Sequence, residues 1–162
     1  MHYTANSQAG RRFEVYNDAN TPAGTMECNF WWPAKAVITI GDTVYRVAPA
    51  GFWQSTMQVT RNDSTIAEIK FSISKGLRIH FSTAATPYFF RHKGFWHTRY
   101  AIWDEYGQEI GVIEPHFHWK GLKYTYDIDV HTHTLDKETA RLLPMLMLYC
   151  LRHTHRLAAG AQ

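Results

Sequence analysis

The chain has 162 residues, of which 45% are hydrophobic and 19% are charged. This length and composition predict one folded domain and exclude an intrinsically disordered chain. The formal net charge is only +3 and the basic residues are scattered, so we expect no nucleic-acid partner.

The N-terminal residues 1–10 are mostly polar, and we expect a flexible lead-in there. No apolar signal-peptide core follows Met1, and no transmembrane segment is predicted, so the cytoplasm is the expected location. The two cysteines, Cys28 and Cys150, are interpreted as reduced thiols of a reducing compartment.

From Arg11 onward, apolar and polar residues alternate with the period of two that is typical of half-buried strands. The first predicted hairpin places Phe13 and Val15 on one strand and Met26, Cys28 and Phe30 on the other. The remaining predicted strands cover residues 36–40, 43–48, 52–61, 65–73, 77–82, 88–91, 95–103, 109–113, 116–119 and 123–130. Roughly twelve short strands indicate a sandwich or a barrel.

The segment Leu142–Leu151 is apolar on every side and carries no charge. A helix without a polar face must be buried, yet this one is too short for a bilayer, which needs about 20 apolar residues. We predict the helix over about 136–156, with Thr134 or Asp136 as N-cap. Pro144 would kink it or mark a new start.

A closed sheet around this helix satisfies both halves of the pattern. A barrel filled by its own side chains has about eight strands, so a barrel of about twelve needs a plug. The predicted fold is therefore all-β with one buried helix: a roughly twelve-stranded antiparallel β-barrel that encloses a C-terminal hydrophobic α-helix, in a single domain over residues 11–157. With the helix filling the lumen, we expect ligands to meet only loops and the outer surface.

Three features resemble the tubby-like barrel superfamily, in particular its LURP-one-related and scramblase-like branch. They are the strand–turn–strand unit Tyr100–Ile113, the early hairpin Ile38–Arg46, and the order of about twelve strands followed by a terminal hydrophobic helix. The resemblance implies a twelve-stranded barrel around a central helix and a binding function rather than an enzyme. Tubby domains bind phosphoinositide head groups, but no local motif here aligns with that site. The Pro-rich arm and the cysteine-rich stretch of scramblases are missing, so lipid scrambling is not expected.

The candidate ligand-binding residues are Arg91, His92, Lys93 and Trp96. A basic turn beside aromatic side chains can seat a phosphate or dip into a membrane interface. The alternative interpretation is an ordinary solvated hairpin turn. Aromatic pairs near Trp31 and Trp53 would cap the barrel or contact a partner.

A second hypothesis rests on the histidines. His116 and His118 are two residues apart on a predicted strand, so they project from one face and can share a metal ion. His131, His133 or Glu114 would supply a third ligand, and the protein would then be a metal-dependent β-barrel enzyme. The opposing interpretation is that these histidines are solvent-facing or hydrogen-bonded, and we expect no metal site.

Sequence signatures of catalysis are missing as well. The chain has no Gly-x-Ser-x-Gly nucleophile motif, no Gly-rich phosphate loop and no dinucleotide fingerprint. We therefore expect no catalytic residues and no cofactor. The leading interpretation is a non-enzymatic binding domain of the tubby-like, LURP-one-related type, whose partner is an anionic lipid head group, a membrane surface or a protein.

Overall fold

The computed structural model describes residues 1–29, 31, 34–52, 55–72, 76–95, 98–131 and 133–160. Within these ranges the chain forms twelve strands followed by one helix. The elements are β1 His2–Gln8, β2 Arg12–Asn17, β3 Pro22–Cys28, β4 Ala36–Ile40, β5 Thr43–Pro49, β6 Thr56–Arg61, β7 Ser64–Ser72, β8 Gly76–Phe81, β9 Tyr88–Lys93, β10 Arg99–Trp103, β11 Glu109–His118, β12 Lys123–Val130 and α1 Lys137–Gly160.

The strands close into an up-and-down barrel. Each strand pairs antiparallel with its neighbour in sequence, and β1 pairs with β12 to complete the ring. In that closing pair Tyr3 faces Ile128 across the ladder. The all-β barrel with a single helix is thus confirmed.

The barrel wall follows the alternation of the sequence. On β12 the side chains of Ile128 and Val130 are buried inside, whereas Asp129 between them is exposed. The same alternation recurs on β4, where Ala36, Ile38 and Ile40 are buried. One face of each strand therefore contributes to a continuous apolar core that lies inside the ring.

The helix α1 fills that core. Every residue of Leu142–Leu151 is buried, and the helix continues through Pro144 without interruption. Two wall positions carry glycine where α1 comes close. A Cβ at Gly24 would collide with the Met145 side chain, and one at Gly111 would lie 3.3 Å from Met147 Sδ. These glycines let the backbone of the wall approach the helix.

Hydrogen bonds fix the start and the middle of α1. Asp136 is the N-cap: its Oδ1 accepts from the backbone N–H of Glu138 and of Thr139, each at 3.0 Å. The alternative N-cap, Thr134, does not have this role. Further along α1, the Tyr149 hydroxyl donates to the Ala34 carbonyl at 2.6 Å. The helix ends at Gly160, four residues beyond the predicted end.

Two expectations about the strands are wrong, and their errors cancel in the count. The expected flexible lead-in at residues 1–10 is instead the strand β1 over His2–Gln8, whose Tyr3 and Ala5 are buried. The expected strands 109–113 and 116–119 are one strand, β11, which runs through Pro115. β1 was missed because its inward residues include the small Ala5 and the polar Ser7, which weaken the hydrophobic alternation.

Candidate functional site

The two ends of the barrel differ in charge and in aromatic content. Because strand direction alternates, successive connecting segments lie at opposite ends. One end, called here the basic-aromatic end, is where the connecting segments after β1, β3, β5, β7, β9 and β11 lie and where α1 finishes; the structure describes their residues 9–11, 29, 31, 34–35, 50–52, 55, 94–95, 98 and 119–122. The other, called the acidic end, is formed by segments 18–21, 41–42, 62–63, 82–87, 104–108 and 131–136.

In these connecting segments, all the Lys and Arg residues belong to one end of the barrel and all the Asp and Glu residues belong to the other. The basic-aromatic segments contain no Asp or Glu in the sequence, and their basic residues are Arg11, Lys35, Lys75 and Lys120. The acidic segments contain no Lys or Arg in the sequence, and their acidic residues are Asp18, Asp42, Asp63, Asp104, Glu105 and Asp136. The connecting segments therefore give the barrel a charge dipole along its axis, which Arg61, Lys137 and Arg141 near the acidic end reduce.

Exposed aromatic side chains are concentrated at the basic-aromatic end. Trp31 is 83% exposed, Phe52 91%, Phe95 96% and Trp119 82%. Leu122 lies in the same segment as Trp119 and is also exposed. The segments further contain Trp32, Trp53 and Trp96 in the sequence, which are outside the described residues. Large apolar side chains this exposed indicate a surface that contacts something other than water.

The predicted binding residues on β9 do not form a single cluster. Arg91 and Lys93 lie on the outer face, where the Arg91 guanidinium is 4.6 Å from the centre of the Trp103 ring. Lys93 Nζ lies 2.5 Å from Glu109 Oε2 and so is already paired. His92 lies on the opposite face against Tyr100, with ring centroids 5.2 Å apart. The fourth predicted residue, Trp96, is outside the described residues.

The histidine pair on β11 lies against β12, where His118 is hydrogen-bonded while the buried Nε2 of His116 makes no hydrogen bond with any described residue. His118 Nε2 lies 2.9 Å from Thr125 Oγ1, and His116 Nε2 lies 2.8 Å from Asp127 Oδ2. The two imidazoles share the outer face as predicted, but each is directed to a different neighbour. Across the described ranges, no group of three His, Cys, Asp or Glu side chains is placed to hold a metal ion. The geometry therefore gives the metal-enzyme hypothesis no support.

A cavity of about 300 Å³ opens at the basic-aromatic end, between α1 and the inner wall. Its apolar side is formed by Phe13, Leu148 and Leu151, all buried. Tyr124 and Tyr126 of β12 form a second side, and Arg152, Lys123 and His155 bring basic groups to it. The helix α1 therefore does not fill the lumen completely at this end, contrary to expectation, and where ligands bind stays a prediction.

The electrostatics of the cavity favour negative charge. Arg152 Nε donates to the Gly10 carbonyl at 3.3 Å, which holds the guanidinium beside the turn between β1 and β2. Burial raises the pKa of Tyr126 to about 12, so its hydroxyl keeps its proton, and the nearby Arg152 opposes this rise. Burial lowers the pKa of His155, which leaves Arg152 and Lys123 as the fixed positive charges. No Asp or Glu of the described chain lines this cavity.

Comparison with known proteins gives one fold-level result. No family model matches the chain, and no curated protein matches it either. Among solved structures, the X-ray structure of a protein from Arabidopsis thaliana matches with a TM-score of 0.59 at 14% identity, covering 95% of this chain and 91% of that one. At this identity the likeness shows the fold alone, and membership of the tubby-like superfamily stays a prediction. The particular branch of the superfamily stays a prediction.

The length and apolar character of the helices decide whether one could cross a bilayer. Within the described residues, no helix combines the length and the apolar character that crossing a bilayer requires.

Sequence reasoning singled out the β9 turn but missed the wider surface to which it belongs. The signal was present: every second turn of the predicted hairpins carries aromatic or basic residues, and the turns between them carry the acids. The cavity had no comparable signal. It depends on Ser7 and Arg152, which are 145 positions apart and meet only when β1 closes the ring around α1.

Proposed function

We propose that the protein is a non-enzymatic binding domain of the tubby-like type that docks on anionic membrane surfaces through its basic-aromatic end. The observation that carries the proposal is the separation of the two ends. Exposed aromatic side chains and basic residues occupy one end, and all the acidic connecting residues occupy the other.

The aromatic side chains fit the interfacial layer of a bilayer. Trp is enriched where lipid head groups meet the hydrocarbon, since its ring is amphipathic. Trp31, Phe52, Phe95 and Trp119 come from four different connecting segments. Contact through several short loops at one end suits a flat surface better than a narrow groove.

The charges select the kind of surface. A Lys or Arg near an anionic leaflet contributes about 1 kcal/mol of attraction. Lys120 lies beside Trp119 in the β11–β12 connection, and both side chains are exposed. The acidic end would be repelled by the same leaflet, so the dipole also orients the barrel with α1 finishing towards the membrane.

The predicted β9 residues take a smaller part in this arrangement. Phe95, in the turn after β9, is the most exposed of the four aromatics. Lys93 is paired with Glu109, so its charge is largely compensated. Arg91 sits further along the outer wall against Trp103, where it would meet head groups only at the edge of the contact.

Co-sedimentation with vesicles tests the proposal. Vesicles of phosphatidylcholine with phosphatidylserine should retain the protein, and pure phosphatidylcholine should retain much less. Raising salt from about 0.1 M to about 1 M shortens the Debye length from about 10 Å to about 3 Å and should release it. Lys120→Gln should lower partitioning about fivefold, which corresponds to about 1 kcal/mol.

Matched variants at the acidic end are the controls. Trp119→Ser should weaken retention, whereas Tyr106→Ser should not, although Tyr106 is 84% exposed. Lys137→Gln removes an exposed charge at the acidic end and should leave retention unchanged. No retention by either kind of vesicle would refute the membrane proposal and leave a protein as the partner of this end. Equal effects of Trp119→Ser and Tyr106→Ser would also refute it.

A further inference from the structure

We infer that the cavity at the basic-aromatic end is a binding site for a small amphipathic anion, that is, a phosphate or carboxylate group carried on an apolar body. The inference rests on the proposed function only for the source of this ligand, which a docked barrel would draw from the lipid surface. The residues that line the cavity support a binding site independently of the proposed function.

Size and position suit a ligand site. At about 300 Å³ the cavity reaches the lower end of the range of small-molecule pockets. Its lining joins the barrel wall, the turn residues Gly10 and Leu122, and the helix α1. A cavity that is open before the ligand arrives lowers the cost of binding.

The lining divides into an apolar part and a basic part. The exposed Leu122 and Tyr124, together with the ring of Tyr126, offer an accessible apolar surface for an alkyl or aromatic body. Phe13, Leu148 and Leu151 also line the cavity but are almost fully buried. Arg152 and Lys123 supply positive charge. An anion alone would leave the apolar part unused, and an alkane alone would make no contact with the basic groups, so the lining matches a ligand that carries both.

The sign of the charge distinguishes this cavity from other clefts of the described chain. Four further clefts each contain a carboxylate: Glu27 in one, Asp18 in another, several on the outer face of β11 and β12, and Asp104 in the last. In this cavity no described lining residue is acidic. A guanidinium and an ammonium without a carboxylate between them attract an anion from solution.

Hexyl phosphate is the probe, used well below the concentration at which it forms micelles. Titration into the wild-type protein, followed by backbone amide NMR, should give saturable shifts centred on Gly10, Leu122 and Tyr124, which line the cavity. Inorganic phosphate and hexanol each reproduce half of the ligand and should bind at least tenfold more weakly. Hexanoate replaces the phosphate by a carboxylate and should shift the same amides.

Two pairs of variants separate the site from its surroundings. Arg152→Gln should weaken binding of hexyl phosphate about tenfold, since it removes a charged hydrogen-bond donor. Arg156→Gln removes the same charge one turn further along α1, outside the cavity, and should have no effect. Ser7→Phe should fill the cavity and abolish binding. Ser7→Ala removes the same hydroxyl, which accepts from Gly10 N at 3.2 Å, without filling it and should bind normally.

The outcomes are distinct from those of the vesicle experiment because no bilayer is present. Equal affinity in Arg152→Gln and Arg156→Gln, or shifts that do not saturate, would overturn the inference. Inorganic phosphate binding as tightly as hexyl phosphate would overturn it too, since the apolar part would then have no role.

A vesicle arm assigns the source of the ligand. If Ser7→Phe lowers retention by anionic vesicles relative to Ser7→Ala, the bound group belongs to a membrane lipid. If retention is unchanged while hexyl phosphate binding is lost, the ligand is a free small molecule. The cavity is a binding site in both cases, whether or not the barrel docks on membranes.

Discussion

Leu146 is the position that tests most directly whether α1 holds the barrel together. The residue lies in the middle of α1, is 0% exposed and belongs to the core cluster that the wall surrounds. Replacing it by Ala removes buried apolar groups and leaves a void that a closed barrel can collapse only partly. Substitutions of buried Leu by Ala cost about 2–5 kcal/mol. Since Ala is the better helix former, the loss comes from packing and not from the helix itself.

The expected change is large enough for thermal unfolding to resolve. For a domain of this size each kcal/mol shifts Tm by about 2–4 °C, so Leu146→Ala should lower Tm by roughly 4–20 °C. Circular dichroism should report one cooperative loss of strand and helix together. Leu157→Ala is the control, because Leu157 is 42% exposed and its truncation should change stability by at most about 0.5 kcal/mol. Similar Tm values for both variants would refute the idea that α1 fills the barrel. A second variant, Leu146→Asp, would bury an unpaired charge and should not fold. A soluble, cooperatively folding Leu146→Asp protein would refute the same idea.

Two further predictions concern the ends of α1. Asp136→Ala should lower the free energy of unfolding by about 0.5–2 kcal/mol at pH 7 through loss of the N-cap. Because the hydrogen bonds from Thr139 hold the pKa of Asp136 below its usual value, the difference between the two proteins should vanish as the pH falls below 3.8. A difference that persists in acid would contradict the capping role. At the other end, burial and the neighbouring Arg156 and Arg152 lower the pKa of His153 from 6.5 to about 4, so the folded protein keeps the ring neutral while the unfolded chain takes up a proton. Stability should therefore fall between pH 6.5 and about 4, and His153→Phe should flatten that fall in urea titrations; an identical pH profile in both proteins would exclude His153 as its cause.

The sequence determined the local structure wherever its pattern was strong. Alternation on Tyr124–Val130 placed Ile128 and Val130 inside, and the uncharged run Leu142–Leu151 predicted a buried helix. Both inferences need only side-chain periodicity and the cost of exposing apolar surface. Together they required a container for the helix, and this is why the barrel itself could be predicted without knowing which strands pair.

Where the apolar alternation of the sequence is weak or interrupted, the tertiary structure decides whether a segment forms a strand. The strand β1 is short of large apolar residues, and its burial comes from pairing with β12, about 120 positions away in the sequence. At Pro115 the sequence indicated a break, yet β11 continues because β12 pairs with it on both sides of the proline, from Gly111 to His118. Pairing with β12 stabilised both segments, and the apolar pattern of a single segment does not record such a partner.

The candidate site divides in the same way. The aromatic and basic residues of alternate turns are visible in the sequence, and a sheet that reverses direction at every turn must place them at one end. The proposed docking surface therefore follows from the local pattern once the order of the strands is known. The cavity does not follow from any local pattern. Arg152 reaches the Gly10 carbonyl across 142 positions of sequence, and Tyr126 approaches both only because ring closure brings β12 beside β1 and around α1. A site made by closing a ring depends on how the first and last segments of the chain meet, and that is set by the packing of the whole barrel rather than by any segment of it.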